Sequence, residues 1–405
     1  MPTTTKIRPR ALVHASGGPR YAAALAVDAL GTGLLRPFLL LYGVTVLHLS
    51  APLTGTAMTV GVVAGLVFMP ALGRWLDRGA RSTAVAASML VRVAGTALLL
   101  AAPAGNVWLF TAAALVLGIG NQAWPAAHAA LVATVSQGRE RDAALAAGRA
   151  LRNAGMGVGA LIATACLAGG TPALRTLAAV TGVSYLVAGV LTWSIRVRVE
   201  TAPAADPTVA PAMGPTPEKD DESAPRMRAL LAANVIYVFC LNVPEIALPL
   251  ILTTQLHASP VWSAGIFVAN TVLVVTLQVP VTVLLSRYPR RIVLGLAGVV
   301  LTVSYLGFLG AASLDHGWAV PAIAAVSVVC TLGEIIYAGS ATALVTAVAP
   351  AHALGRTLAR FELSTGFGLA VSPAALTALA PHGPAALWGS LAAATLLSAC
   401  AVVSA

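Results

Sequence analysis

Eight charged side chains are the candidates for burial inside the apolar stretches of this 405-residue chain: Asp28, Arg36, Arg92, Arg149, Arg152, Glu245, Glu334 and Glu362. A charge at the centre of a membrane helix costs roughly 2.5–3.5 kcal/mol on insertion scales, so each such group needs a partner, water or a functional reason. Glu334, in Thr331-Leu332-Gly333-Glu334-Ile335-Ile336-Tyr337, is the leading candidate for a proton carrier. A carboxyl group taken out of water can load and unload a proton near neutral pH. Asp28 is the second candidate. It lies about 12 Å from Arg36 along a helix axis and roughly 80° around it, so these two are not a simple pair. An ion pair with Arg92 is its alternative role. Arg149, Arg152 and Glu362 are expected close enough to helix ends to snorkel. No nucleophile stands near a plausible base, the four cysteines lack metal-ligand spacing, and no phosphate-binding Gly-x-x-x-x-Gly-Lys loop is present. An enzyme, a metal site, a cofactor and ATP-driven pumping are therefore not expected.

The elements that must hold these groups are membrane helices. The chain is 58% hydrophobic and 9% charged, against about 25% charged in a soluble domain, which excludes a water-soluble protein. The net charge of +10 comes from cations in short clusters between apolar runs, not from a basic face suited to nucleic acid. Twelve apolar segments are long enough to span: 21–47, 52–73, 82–103, 105–134, 143–168, 173–196, 228–254, 260–286, 291–312, 317–349, 355–379 and 384–403. Only structures that satisfy their own backbone can cross hydrocarbon, so the fold class is an all-α membrane protein.

Arginines mark one side of it. Loops at Arg74, Arg78 and Arg81, at Arg139 and Arg141, at Arg287, Arg290 and Arg291, and at Arg356 and Arg360 alternate with loops that carry only Arg175. Cations collect on the cytoplasmic side, so both termini are expected there, in a multi-pass protein of the cell membrane. The expected organisation is a cytoplasmic tail (1–20), a six-helix bundle (21–196), a Pro-rich, acidic linker (197–227) and a second six-helix bundle (228–405). Leu76-Asp77-Arg78-Gly79-Ala80-Arg81 lines up with Leu285-Ser286-Arg287-Tyr288-Pro289-Arg290 at an offset of 209 residues, where a duplication would put it.

Gly73-Arg74-Trp75-Leu76-Asp77-Arg78-Gly79-Ala80-Arg81 resembles the signature loop G-x-L-x-D-R-x-G-R of the major facilitator superfamily. Gly73, Asp77, Arg78 and Arg81 match, while Trp75 and Ala80 depart. The resemblance implies two pseudo-symmetric bundles of six helices rocking about a central cavity. It also implies a conformational latch in which Asp77 faces the positive N-terminus of the helix starting near Gly355. Two features of the family's proton-coupled drug antiporters are not met. Ala114 stands where they carry an Arg before Gly118, and Gly159-Ala160 replaces their Gly-Pro pair. The glycine series from Gly155 to Gly159 suits helix packing.

The same offset sets Arg36 against Glu245, suggesting an ion pair between the halves that closes an outer gate, or two pairs each within its own half. On the helices that line the cavity in this family, Asn121, Gln122, Trp124, Asn242 and Tyr337 are candidate substrate contacts, with Asn270 and Gln278 on the eighth helix. Asn234 belongs with them. His128 is expected to pack, and Pro37, Pro125, Pro244 and Pro280 to kink or flex their helices. The expected activity is proton-coupled efflux of a small amphipathic or hydrophobic compound by an antiporter of the multidrug-resistance kind. An importer or facilitator, or a non-transporting receptor or scaffold, is the alternative. Expected partners are the substrate, protons and the lipid bilayer, with the chain acting as a monomer.

Overall fold

The computed structural model describes residues 17–194 and 218–404. Twelve helices follow in order: α1 Pro19–Thr45, α2 Ala51–Asp77, α3 Arg81–Ala101, α4 Val107–Val135, α5 Gly138–Cys166, α6 Gly170–Trp193, α7 from Glu218 to Thr254, α8 Pro260–Leu285, α9 Arg290–Ala311, α10 His316–Val348, α11 Leu354–Leu379, and α12, whose regular part is Ser390–Ser404. Eleven are long and apolar enough to cross a membrane. The twelfth, α5, is 29 residues long but carries Arg139, Glu140, Arg141, Asp142, Arg149 and Arg152. The fold is thus an all-α membrane protein, with a helix for each apolar segment read from the sequence. Most of the expected linker lies outside the described residues, as does the tail up to residue 16. The last part of that linker, from Glu218, is helical and forms the start of α7.

Local chemistry sets the helix ends. Pro19, Pro52 and Pro260 occupy first-turn positions where a missing N–H costs nothing. Asn106 caps α4 by accepting from the Leu109 N–H at 2.9 Å. Within the helices, hydroxyls turn back on their own backbone, as Thr32 does to the Asp28 carbonyl and Thr96 to the Arg92 carbonyl. This satisfies them where no water is available.

Four prolines behave in two ways. Pro37 lies in a 3₁₀ turn, Arg36–Phe38, that interrupts α1, and Pro244 lies in a π-turn, Val243–Ala247, that interrupts α7. Pro125 and Pro280 sit inside unbroken helices. The breaks fall at the matching positions of the first helix of each half, beside Arg36 and Glu245.

Packing repeats between the halves. In the first, α1 contacts α5 and α6, and α4 contacts α2 and α3; in the second, α7 contacts α11 and α12, and α10 contacts α8 and α9. The main contacts between residues 17–194 and 218–404 are α2 with α11 and α5 with α8, which exchange when helices six apart are interchanged. The α2–α11 crossing is close. A Cβ on Gly355 would lie 2.5 Å from the Leu76 Cβ and 2.6 Å from the Gly73 carbonyl oxygen, so both positions demand glycine.

Candidate functional site

At the arginine-rich end, α2 and α11 are tied by one carboxylate. Asp77 Oδ1 accepts from the backbone N–H of Gly355 at 2.6 Å and of Arg356 at 3.3 Å, while Oδ2 accepts from Arg356 Nε at 2.7 Å. The carboxylate thus meets the N-terminal turn of α11, where unpaired N–H groups and the helix dipole favour an anion. Arg81 donates to Thr134 Oγ1 at 2.6 Å, fixing the same loop to α4. Arg78 caps α2 at the turn.

The other pair of helices is tied at the same end. Asp142, in the first turns of α5, accepts from Arg290 Nε at 3.1 Å and Nη2 at 2.8 Å. Arg139 Nε donates to Ser286 Oγ at 3.1 Å, and Arg141 to the Thr346 carbonyl at 3.3 Å. Ser286 aligns with Asp77, and Arg290 with Arg81. In the first tie the loop supplies the anion, whereas in the second it supplies the cation and α5 the anion. Asp142 was not singled out from sequence; its position at the start of α5, opposite the repeat of the signature loop, was the available signal.

Deeper in, Asp28 is fully buried between two guanidinium groups. Arg92 Nη1 lies 2.8 Å from Oδ1 and Arg152 Nη1 3.4 Å from Oδ2. Arg92 also stands over the Tyr185 ring, 4.6 Å from its centroid, and Arg152 over Trp124 at 4.1 Å. The Trp124 ring stacks on His128 at 5.0 Å, and His128 Nδ1 shares a 2.7 Å hydrogen bond with the Tyr21 hydroxyl. Arg152 therefore does not snorkel: its charge turns inward to Asp28. Two cations share one carboxylate here.

In the second half, Glu334 Oε2 accepts from Asn270 Nδ2 at 2.9 Å, and the same amide donates to Thr331 at 3.1 Å. Among the described residues no cation lies within 4.0 Å of Glu334, so its support is a neutral amide. Asp28, in contrast, has its charge compensated in place.

Several candidate contacts are spent on neighbouring helices. Tyr337 donates to Asn234 Oδ1 at 2.8 Å, Asn234 donates to Ser364 and Thr365, Asn242 to Ser372, and Gln278 to the Ile335 carbonyl at 3.1 Å. These amides act as helix-to-helix glue. Asn121 Oδ1 and Trp124 Nε1 have no hydrogen-bond partner among the described residues. Gln122 packs against Gly65.

Arg36 and Glu245 are both exposed, and no ion pair within 4.0 Å joins them. The expected gate pair is not formed in this conformation. The halves are tied at the arginine-rich end, and these two groups stand near the other.

The chain resembles several solved transporters at low identity. A bacterial homologue of the iron transporter ferroportin, in an outward-facing state, superposes with a TM-score of 0.73 at 12% identity, covering 95% of this chain and 98% of that one. The proton:xylose symporter XylE gives 0.74 at 12% identity over 96% and 94% of the two chains. The human organic anion transporter MFSD10 gives 0.69 at 12% over 98% and 100%. At such identity the likeness concerns the fold. No curated protein sequence matches the chain. The family model of the Major Facilitator Superfamily matches residues 21–373, and the chain is a member of that superfamily of membrane transporters.

Proposed function

We propose that this chain is a proton-coupled antiporter of the cell membrane that exports a small amphipathic compound by alternating access, with the halves 21–196 and 228–405 rocking about a central cavity. The observation that carries the reading is Glu334. It is a half-buried carboxyl group in mid-helix whose hydrogen-bond donor, Asn270, is neutral and can serve either protonation state. Arginine asymmetry supports a cytoplasmic position for the tied end. On this reading the tied end is closed toward the cytoplasm, and Glu334 collects its proton from the other side before the halves exchange access. Membrane potential supplies about 2.3 kcal/mol per charge per 100 mV, which with the pH gradient supports accumulation against a modest difference. Efflux of drugs, as against another amphipath, is favoured by the sparse polar lining and disfavoured by Ala114 and Gly159-Ala160.

Proteoliposomes with an acidic lumen, screened with a panel of radiolabelled amphipathic compounds, test the proposal. At least one compound should accumulate inside only while the lumen is acid relative to the bath. Accumulation driven by the opposite gradient would make the carrier a symporter, and flux indifferent to any gradient would make it a facilitator.

A further inference from the structure

Deeper than the two ties, charged side chains of opposite sign lie on helix faces that the ties turn toward the other half. On α5, Asp142 crosses to Arg290 of the second half, and Arg149 follows seven residues later, on the same helix face two turns deeper. On α11, Gly355 meets Asp77, and a Cβ on Gly366 would meet Leu66 of α2. Glu362 lies between these positions, seven residues after the first and four before the second, so it too is directed at the other half. Arg149 is half-buried and has no ion pair within 4.0 Å among the described residues. Its charge nonetheless acts on both Glu334 and Glu362, and that of Arg152 acts on Glu362. Arg152 is one of two guanidinium groups sharing Asp28, so the first half presents surplus positive charge. The second presents two carboxyl groups without a cation in contact.

We propose, building on the transport reading above, that the compound carried is a zwitterion: a small amphipathic molecule whose acidic group sits on Arg149 and whose basic group sits on Glu362 and Glu334. A pure anion would suit Arg149 but meet two carboxyl groups; a pure cation would meet Arg149 and Arg152. A neutral amphipath would leave the facing charges without partners. A molecule with both groups offers the right sign to each half. It also fits exchange: the basic group leaves the carboxylate of Glu334 outside, a proton takes its place, and the proton leaves inside when the next basic group arrives. The zwitterion carries no net charge, so each proton exchanged moves one charge across the membrane.

The test is equilibrium binding to the detergent-solubilised full chain, using naphthylalanine and aminodecanoic acid, each with its N-acetyl derivative (anionic), its amide (cationic) and its N-acetyl amide (neutral). Each free amino acid should bind at least about tenfold more tightly than its singly charged and neutral derivatives. Arg149→Gln should abolish the free amino acid's advantage over the cationic amide, which should itself bind at least as well as to the parent, and Arg149→Lys should keep most of the preference. Glu362→Gln should lower it to the affinity of the N-acetyl form. A parent that binds all four forms alike, or none, overturns the inference, as does an Arg149→Gln protein that keeps the preference. The antiport reading is tested separately by flux. A zwitterion preference without proton-driven flux removes the antiport and leaves the site, whereas proton-driven flux of a compound lacking one charge does the reverse.

Discussion

Asp28 shows what a buried charge does when it is paired. It holds Arg92 and Arg152 together at the junction of α1, α3 and α5, all three groups largely out of solvent. Removing one member of such a pair typically costs about 3–5 kcal/mol, because the remaining charge is left uncompensated. Asp28→Asn is therefore expected to lower the unfolding free energy of the solubilised protein by that order, measured by denaturant or thermal unfolding, whereas Glu334→Gln should be close to neutral. Equal losses from the two variants would contradict the division of labour between these carboxyl groups. Glu334 is legible from sequence because it is an isolated carboxyl in a long apolar run. Arg149 and Arg152 are not, and the reason is a helix end. From an apolar start near residue 143, Arg149 seems roughly 9 Å inside, within reach of the surface by snorkelling. Helix α5 in fact begins at Gly138, through four consecutive charged residues that hydropathy reads as loop. That places Arg149 roughly 16 Å inside, near the middle.

Among the elements, the α2–α11 crossing is the clearest case of a device that can open. Its glycines bring the helices together, and the Asp77 carboxylate adds charged hydrogen bonds, each worth about 1.5–3 kcal/mol when intact. In a carrier whose two states differ by a few kcal/mol, losing such a bond shifts their ratio roughly tenfold or more. Asp77→Ala should therefore raise the alkylation rate of a cysteine placed at Ser340 by about tenfold. Ser340 lies beside the Asp142–Arg290 tie, in a cavity that also includes Thr282, Ser286 and Gly339. An unchanged rate would make the loop a static turn. The signature loop exposes this first tie in the sequence. The second stays hidden because the repeat inverts its charges: Ser286 stands at the position of Asp77, and the anion, Asp142, has moved to the facing helix.

For the molecule as a whole, twelve apolar segments and one-sided arginines are enough to give the membrane fold. The state it occupies is set by contacts between residues hundreds of positions apart, which periodicity cannot report. Here the arginine-rich end is tied, while Arg36 and Glu245, each beside a proline-bearing break in the first helix of its half, stand exposed and apart. Alternating access predicts that they approach when the ties release. A disulfide between Arg36→Cys and Glu245→Cys should form slowly in the otherwise unaltered protein and several-fold faster with Asp77→Ala added, on the population arithmetic above. Crosslinking that ignores Asp77 would separate the two ends of the molecule mechanically.

The central claim is that Glu334 carries the proton, and the sharpest measurement separates coupling from carriage. In proteoliposomes, accumulation of a substrate under an acid lumen and its exchange between equal pools at one pH should be measured for the parent and for Glu334→Gln. The account predicts that the variant loses gradient-driven accumulation altogether while retaining measurable exchange, slowed by the lost contact to the substrate's basic group. A Glu334→Gln protein that still accumulates substrate against its gradient would contradict it.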